Sequence, residues 1–409
     1  MYRVWTFLAE YSLLLVIGAV AALIWANVDV HSYHAIVDYH LSDLWPDLTV
    51  HFLINDILMA FFFFVAGKEV WEAVILENGE LRGRKSVTPL VATAGGMIGP
   101  IALYFAYAAL MGSDTLTALK QGWAIPTATD IAFSYLIGRL IFGAGHPAIR
   151  FLLLLAIADD AGGLVILAIF YPSGDLAPVW LLLSVAASVA VFLLFNWLPR
   201  RLDRGDQLRR KSTWVRLKLS FWPYALAGAI SWYAFYRAGI HPALGLIPVI
   251  PAIPHADRSF GFYAEAERYL KDLLNQIEHM LALPVQIILL FFGLANAGVA
   301  LTSFDHATWA VLLGLLVGKP LGILLFGWFA AYPLKLGLPE GMRTSDLVVL
   351  GSVAGIGFTV ALFVATEAFA PGAVQDAAKM GALLSFASAV IAFALGMIFR
   401  VQKVALHQR

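Results

Sequence analysis

Twelve runs of about 20 predominantly apolar residues punctuate this chain, and that repetition restricts its fold more than any other feature. In hydrocarbon, every backbone N–H and C=O must be satisfied within the protein, and a run of this length does so by becoming a helix. The runs lie near 10–28, 51–72, 87–111, 121–142, 149–171, 177–198, 219–236, 239–253, 280–302, 308–331, 346–369 and 379–399. The eighth, "IHPALGLIPVIPAIP", is short and rich in proline. Only 13% of residues are charged, where a soluble domain carries about 25%. The expected fold class is therefore an all-α polytopic membrane protein of a single transporter domain, residues 1–409. The first run has no small-residue cleavage site and reads as a retained span. The absence of cysteine excludes a disulfide framework and a thiolate metal site.

The cations test the span count. With the N-terminus placed in the cytoplasm and the spans alternating, all but four of the 27 Lys and Arg residues fall in inside segments. Lys120, Arg237 and Lys379 fall outside, and Lys319 falls within the tenth run, "LLGLLVGKPLGILLF". That bias follows the positive-inside rule and places both termini in the cytoplasm. The basic loop "PRRLDRGDQLRRKSTWVRLK" (199–218) divides the spans six and six and reads as a topogenic cluster beside anionic lipid, not as a nucleic-acid patch.

Four ionisable residues lie where hydrocarbon is expected: Asp130, Asp159, Asp160 and Lys319. Each costs roughly 2.5–3.5 kcal/mol at mid-bilayer on insertion scales, so the set costs on the order of 10 kcal/mol unless its members face one another or a wet cavity. A structural ion pair accounts for one Asp and one Lys, and leaves two carboxylates over. On a helix Asp159 and Asp160 project about 100° apart, so one can meet Lys319 while the other faces a cavity. Gly162 and Gly163 then allow close approach of another helix or of water.

Two helices are expected to break. In "GWAIPTATDIAFSYLIG", Pro126 lacks a backbone donor, and Thr127 and Thr129 can satisfy freed groups. In "GSVAGIGFTVALFVA", Gly351, Gly355 and Gly357 interrupt the run before Thr359. Broken ends expose partial charges, which an Asp near the first break and a Lys near the second would compensate. A faint internal repeat points the same way: "GGMIGPIALYF" in span three echoes "GLLVGKPLGILLF" in span ten, and "TDIAF" echoes "TVALF". Spans three and ten start on opposite sides, so the halves would be inverted.

The segments "INDILMAFFFFVAGKEV", "GWAIPTATDIAF", "LLAIADDAGG", "GIHPALG", "FGLANAGV", "GLLVGKPLGI" and "GIGFTVALF" resemble, in order, the signatures of the NhaA-type sodium/proton antiporters. The likeness runs from about residue 10 to residue 400. It implies an inverted-repeat antiporter fold of about twelve helices, with spans 4 and 11 discontinuous and crossing, that exports Na⁺ or Li⁺ in exchange for protons across a bacterial inner membrane. It implies cation and proton binding at Asp159 and Asp160, and charge compensation at the crossing by Asp130, Lys319 and Thr129. It also implies pH regulation by Glu69, Glu72, Glu278 and His279, although Glu72 stands one position earlier than the family's second acidic residue. Glu367 occupies a position that is usually apolar, and "ADDAGG" stands where better-known members have "IDDLGA". A homodimer is implied as well, yet residues 31–50 lack the clear hairpin strands that join such dimers. The partners expected are membrane lipid and the transported ions, with no cofactor and no nucleic acid.

Two carboxyls in a half-wet cavity can hold either protons or a small hard cation, and competition for one site is then the exchange mechanism. Asp160 is expected to be the primary ligand, joined by Asp159, which pairs with Lys319 when the cation is absent. Two titrating groups would make exchange electrogenic. A sodium-coupled symporter of an organic anion is the alternative on a related plan, separated by a requirement for a second solute. An intramembrane aspartyl protease is remote, because the YD and GxGD contexts are missing and Lys319 would disturb a shared proton. "GLLVGKP" is one residue short of a phosphate loop, and Pro320 follows its lysine. Asp56 reads equally as a funnel residue or a local hydrogen-bonding group, and His241, before Pro242, as a packed or capping histidine in preference to a proton relay.

Overall fold

Most apolar runs become continuous helices, including two with an internal proline, Pro100 and Pro284, and the interruptions fall at a few proline- and glycine-bearing stretches. The computed structural model describes residues 13–404, except 44, 46, 77, 78, 80, 82–85, 205–209 and 256–271. The expected inside cations Arg3, Arg82, Arg84, Lys85, Arg209, Arg258, Arg268, Lys271 and Arg409 lie outside the described residues, as does the start of the first run.

The main helices are α1 Leu13–Val28, α2 Val50–Ile75, α3 Val87–Leu110, α4 Ile131–Phe142, α5 Pro147–Phe170 and α6 Pro178–Leu202. They continue with α7 Trp222–Ala238, α8 Leu273–Asn296, α9 His306–Ala331, α10 Thr344–Ala354, α11 Phe358–Ala368 and α12 Ala373–Ile398. Among the described residues there is no strand, and one antiparallel bridge, His40 with Thr49, lies between the first two runs. The connection between the first two runs thus holds a short helix, Val30–Val37, and that single bridge among its described residues.

All twelve expected runs contain helix, but the number able to cross alone is smaller. Among the described residues, seven helices are long and apolar enough to span, or eight if α10 and α11, bent by 51° at their break, count as one. The rest are short or interrupted. The eighth run is proline-bearing 3₁₀ turns, Pro242–Leu244 and Ile247–Ala252, because its prolines remove the donors an α-helix needs. A window of average hydropathy does not register such breaks.

The chain forms two compact units, residues 1–39, 81–163 and 289–409, and residues 40–80 and 164–288. The first is built around α3 and α9, where Gly95 meets the backbone of Gly322, and Gly99 that of Gly318. A Cβ at any of these four would strike a main-chain carbonyl, so the glycines allow the two helices to touch backbone to backbone. The segments that echo each other in sequence are therefore packing partners. A π-helical turn, Gly314–Gly318, leads into Lys319.

In the second unit, α6 and α7 are joined by hydroxyls: Ser184 lies 2.6 Å from Ser231, and Ser231 donates to the Gly245 carbonyl at 2.5 Å. Only 11% of the apolar stretch of α6 is buried, with Val179, Leu182, Val185 and Leu194 exposed. A surface of that extent suits hydrocarbon better than water.

Three expectations need correcting. Lys68, placed among the topogenic cations, is fully buried within α2, and Lys379, placed outside, is buried in α12. Gly351 does not interrupt its run. It lies inside α10, where a Cβ would come 2.8 Å from Pro320 Cα.

Candidate cation and proton site

The first unit holds the two breaks side by side. A 3₁₀ turn, Gly122–Thr127, runs into extended backbone at Ala128 and Asp130 before α4 begins. The second break separates α10 from α11 over residues 355–357. The Asp130 N–H donates to the Ile356 carbonyl at 2.7 Å, and the Ser134 hydroxyl donates to the Val353 carbonyl at 3.1 Å. At these points the two breaks satisfy backbone groups that the interruptions have freed.

Asp130 stands at two helix N-termini. Its side chain accepts from the Phe133 N–H at 3.2 Å, capping α4, and from the Thr359 N–H at 3.3 Å and the Thr359 hydroxyl at the start of α11. A carboxylate there meets the positive ends of both dipoles. Thr359 is a site residue that the sequence marked only by its place after the glycine cluster.

Lys319 departs from expectation. It lies at the first break, not the second, donating to the Thr127 carbonyl at the C-terminal end of the 3₁₀ turn. That is still the negative end of a half-helix. Thr127 in turn satisfies the Ala124 carbonyl, at 2.7 Å.

The same ammonium pairs with Asp159 Oδ2 at 2.8 Å, both side chains being fully buried. Oδ2 also lies 2.6 Å from the Thr129 hydroxyl, which is 3.1 Å from the Ala354 carbonyl. Thr129 therefore joins the double aspartate to the end of α10. Asp159 Oδ1 is different: it is buried and has no hydrogen-bond partner among the described residues. Asp160, one residue on, is half-buried and makes no hydrogen bond or ion pair among the described residues. Asp130, Asp159 and Lys319 are the charges that act on it. One aspartate is tied to the lysine and its neighbour is left open, as their angular separation requires. Of the two glycines beyond, Gly162 is approached by Met97, whereas Gly163 has nothing against it.

A second cluster lies in the other unit. The Lys68 ammonium is 2.7 Å from a Glu72 oxygen, 2.7 Å from a Glu278 oxygen and 3.8 Å from Glu69. Glu72 is buried. His279 is exposed. Lys68 was missed as the centre of this group, although its spacing of four from Glu72 within an apolar run was the available signal. His241 caps the turn that follows it, its Nδ1 accepting from the Ala243 N–H at 3.2 Å, and Asp56 lies 3.9 Å away.

The Na⁺/H⁺ antiporter 1 family profile matches residues 6–399. The chain belongs to this family. It is 64% identical over 417 residues to the Na(+)/H(+) antiporter NhaA of Jannaschia sp. (strain CCS1), covering 98% of this chain and 99% of that one. Its identity to the protein of the same name from Geotalea uraniireducens (strain Rf4) is 45% over 402 residues, covering 97% of each. Among solved structures, the sodium proton antiporter MjNhaP1 from Methanocaldococcus jannaschii superposes with a TM-score of 0.49 at 13% identity, over 96% of this chain and 98% of that one. That likeness is too remote to carry an argument. As a membrane-embedded, multi-pass sodium/proton antiporter, the chain needs buried groups that exchange a cation for protons. Asp159 and Asp160 lie beside the crossing of its broken helices, Asp159 being held there by Thr129 and Lys319.

Proposed function

We propose that Asp160, joined by Asp159, binds Na⁺ or Li⁺ and that the same carboxylates bind the protons that the cation displaces. The observation that carries this reading is a pair of open acceptors: among the described residues Asp159 Oδ1 has no hydrogen-bond partner, and Asp160 is half-buried beside it without one. A buried acceptor without a partner costs about 1–3 kcal/mol, and a hard cation that prefers oxygen removes that penalty. Lys319 neutralises Asp159 while the cation is away, and binding of the cation competes with that pair. Protonation of both carboxyls on release would deliver two protons per cation, making exchange electrogenic. Asp130 and Thr129 act through the crossing, by holding the helix ends that shape the site.

The cluster of Lys68, Glu69, Glu72 and Glu278 is assigned a regulatory part, since it joins α2 to α8 by ion pairs whose strength depends on ionised carboxylates. His279 is left as a peripheral member. The bacterial relatives point to a bacterial inner membrane, and the distribution of Lys and Arg points to both termini in the cytoplasm.

The test uses everted vesicles from a host lacking its own antiporters, energised to an acidic interior, with Na⁺, Li⁺ or K⁺ added between about pH 6.5 and 9, a range that brackets neutral-pH titrations. Release of protons on adding Na⁺ or Li⁺, absent in Asp160→Asn, is the expected result. Wild-type turnover with unchanged apparent affinity in that variant would remove Asp160 from the site.

A further inference from the structure

The α5 helix, which carries the double aspartate, begins at a histidine with no part in the exchange site. The His146 side chain is buried, and its Nδ1 accepts from the Ala148 N–H at 3.1 Å, satisfying one of the free donors of the first turn. A ring nitrogen that accepts carries no proton, so the single proton of the neutral ring sits on Nε2. That nitrogen lies 4.0 Å from Asp346 Oδ2, in the first turn of α10.

Asp346 is fully buried. Its Oδ2 accepts from the Arg343 N–H at 2.7 Å, closing the N-terminus of α10. Its Oδ1 has no hydrogen-bond partner among the described residues, and the exposed Arg343 guanidinium stands 3.8 Å away. Asp346 and Arg343 are the charged groups acting on the His146 ring. Arg139, Arg150, Arg400 and Lys403, on the neighbouring stretches of α4, α5 and the C-terminal segment, are all exposed. Phe142 covers one ring face, with centroids 5.1 Å apart.

The two helices so joined lead to the same place. From His146, α5 runs about 20 Å to Asp159 at its rise of 1.5 Å per residue. From Asp346, α10 runs to Ala354, whose carbonyl lies 3.1 Å from the same Thr129 hydroxyl that meets Asp159. We infer that His146 and Asp346 form a proton-sensitive positioning pair, which sets the register of α5 against α10, and with it the placement of Asp159 and Asp160. This rests on the exchange reading of the double aspartate.

The chemistry is one proton and two hydrogen bonds. Protonation turns Nδ1 from acceptor to donor, so the bond from Ala148 is lost and the α5 cap with it. The imidazolium then faces a buried carboxylate with an unused oxygen, and a charge-assisted bond to α10 replaces the cap. Burial holds the His146 pKa below the ordinary imidazole value, with Asp346 pulling it up and Arg343 pushing it down. The folded protein therefore binds this proton less readily than the unfolded chain. The capped arrangement is fully stable above the ordinary value of about 6.5 and loses stability as the pH falls through it.

The experiment compares full-length wild type, His146→Asn, Asp346→Asn and Asp160→Asn in proteoliposomes under an imposed Na⁺ gradient, with the pH varied equally on both sides. Asn caps a helix through its oxygen but does not titrate. Alongside, hydrogen exchange at the Ala148 and Ile149 amides is followed against pH, corrected for intrinsic rates. The expected result is an alkaline rate unchanged in His146→Asn, with its acid limb moved down by about half a pH unit or more. Asp346→Asn should move the limb the same way, and the Ala148 amide should lose protection on acidification in wild type but not in His146→Asn. Coincident normalised profiles, together with equal amide protection at every pH, overturn the pair. The amide measurement needs no transport, so exchange persisting in Asp160→Asn would defeat the double-aspartate reading while leaving His146 to be judged on its own.

Discussion

At the scale of single residues, the fold depends on buried charges being paired. Breaking a buried pair by removing one partner typically costs about 3–5 kcal/mol, because the remaining charge stays in place uncompensated. Lys319→Met should therefore lower the thermal midpoint of the purified protein sharply, and Lys319→Met/Asp159→Asn should recover much of the loss. An unaltered midpoint in the single variant would mean that Asp159 gives up its charge there at no cost. Lys68→Met leaves Glu72 and Glu278, each 2.7 Å from the former ammonium, without their shared cation. Its destabilisation should deepen between about pH 6 and 8.5, as carboxylates lacking a counter-ion are driven to ionise. Thermal melts at the two pH values check this, and a pH-independent loss would argue for packing alone. Lys319, deep inside an apolar run, was legible as a buried charge, whereas Lys68, near the end of its run, reads from the sequence as a topogenic cation. Their partners were not legible, since Asp159 lies 160 positions from Lys319 and no local spacing connects them.

Between elements, the decisive contact is that of α3 with α9. Gly322→Leu would drive a side chain into the Gly95 carbonyl, and relief requires the helices to separate. Overpacking of a close interface costs about 1–3 kcal/mol or more, and here the displacement carries Lys319, three residues earlier, away from Asp159. Loss of exchange with a lowered thermal midpoint is expected. Gly163→Ala, at a position with nothing against it, should be nearly silent in both assays. Equal effects of the two substitutions would show that the glycines matter for helix flexibility and not for approach. The breaks at 128–130 and 355–357 were readable from proline and glycine placed among apolar residues. Which charge would serve which break was not: Asp130 bridges both, whereas Lys319 serves the first, because the crossing brings the start of α11 beside Asp130.

For the whole molecule, the prediction concerns charge movement. If both carboxyls of the pair titrate, exchange should stop at a membrane potential rather than at a pH difference alone. The reversal point in proteoliposomes then follows two protons per cation. A reversal point independent of potential would mean that one proton is exchanged, and that Asp159 keeps its charge throughout beside Lys319. The membrane class and the run of apolar segments followed from the sequence by itself, because hydrocarbon imposes its demands locally, on every stretch of about 20 residues. Tertiary structure alone decided which aspartate is tied and which is open, that Lys68 is a buried centre and not a surface cation, and that His146 faces Asp346. Those are matters of distance between residues far apart in the chain, and a one-dimensional pattern of polarity carries the cost of a buried charge without naming the partner that relieves it.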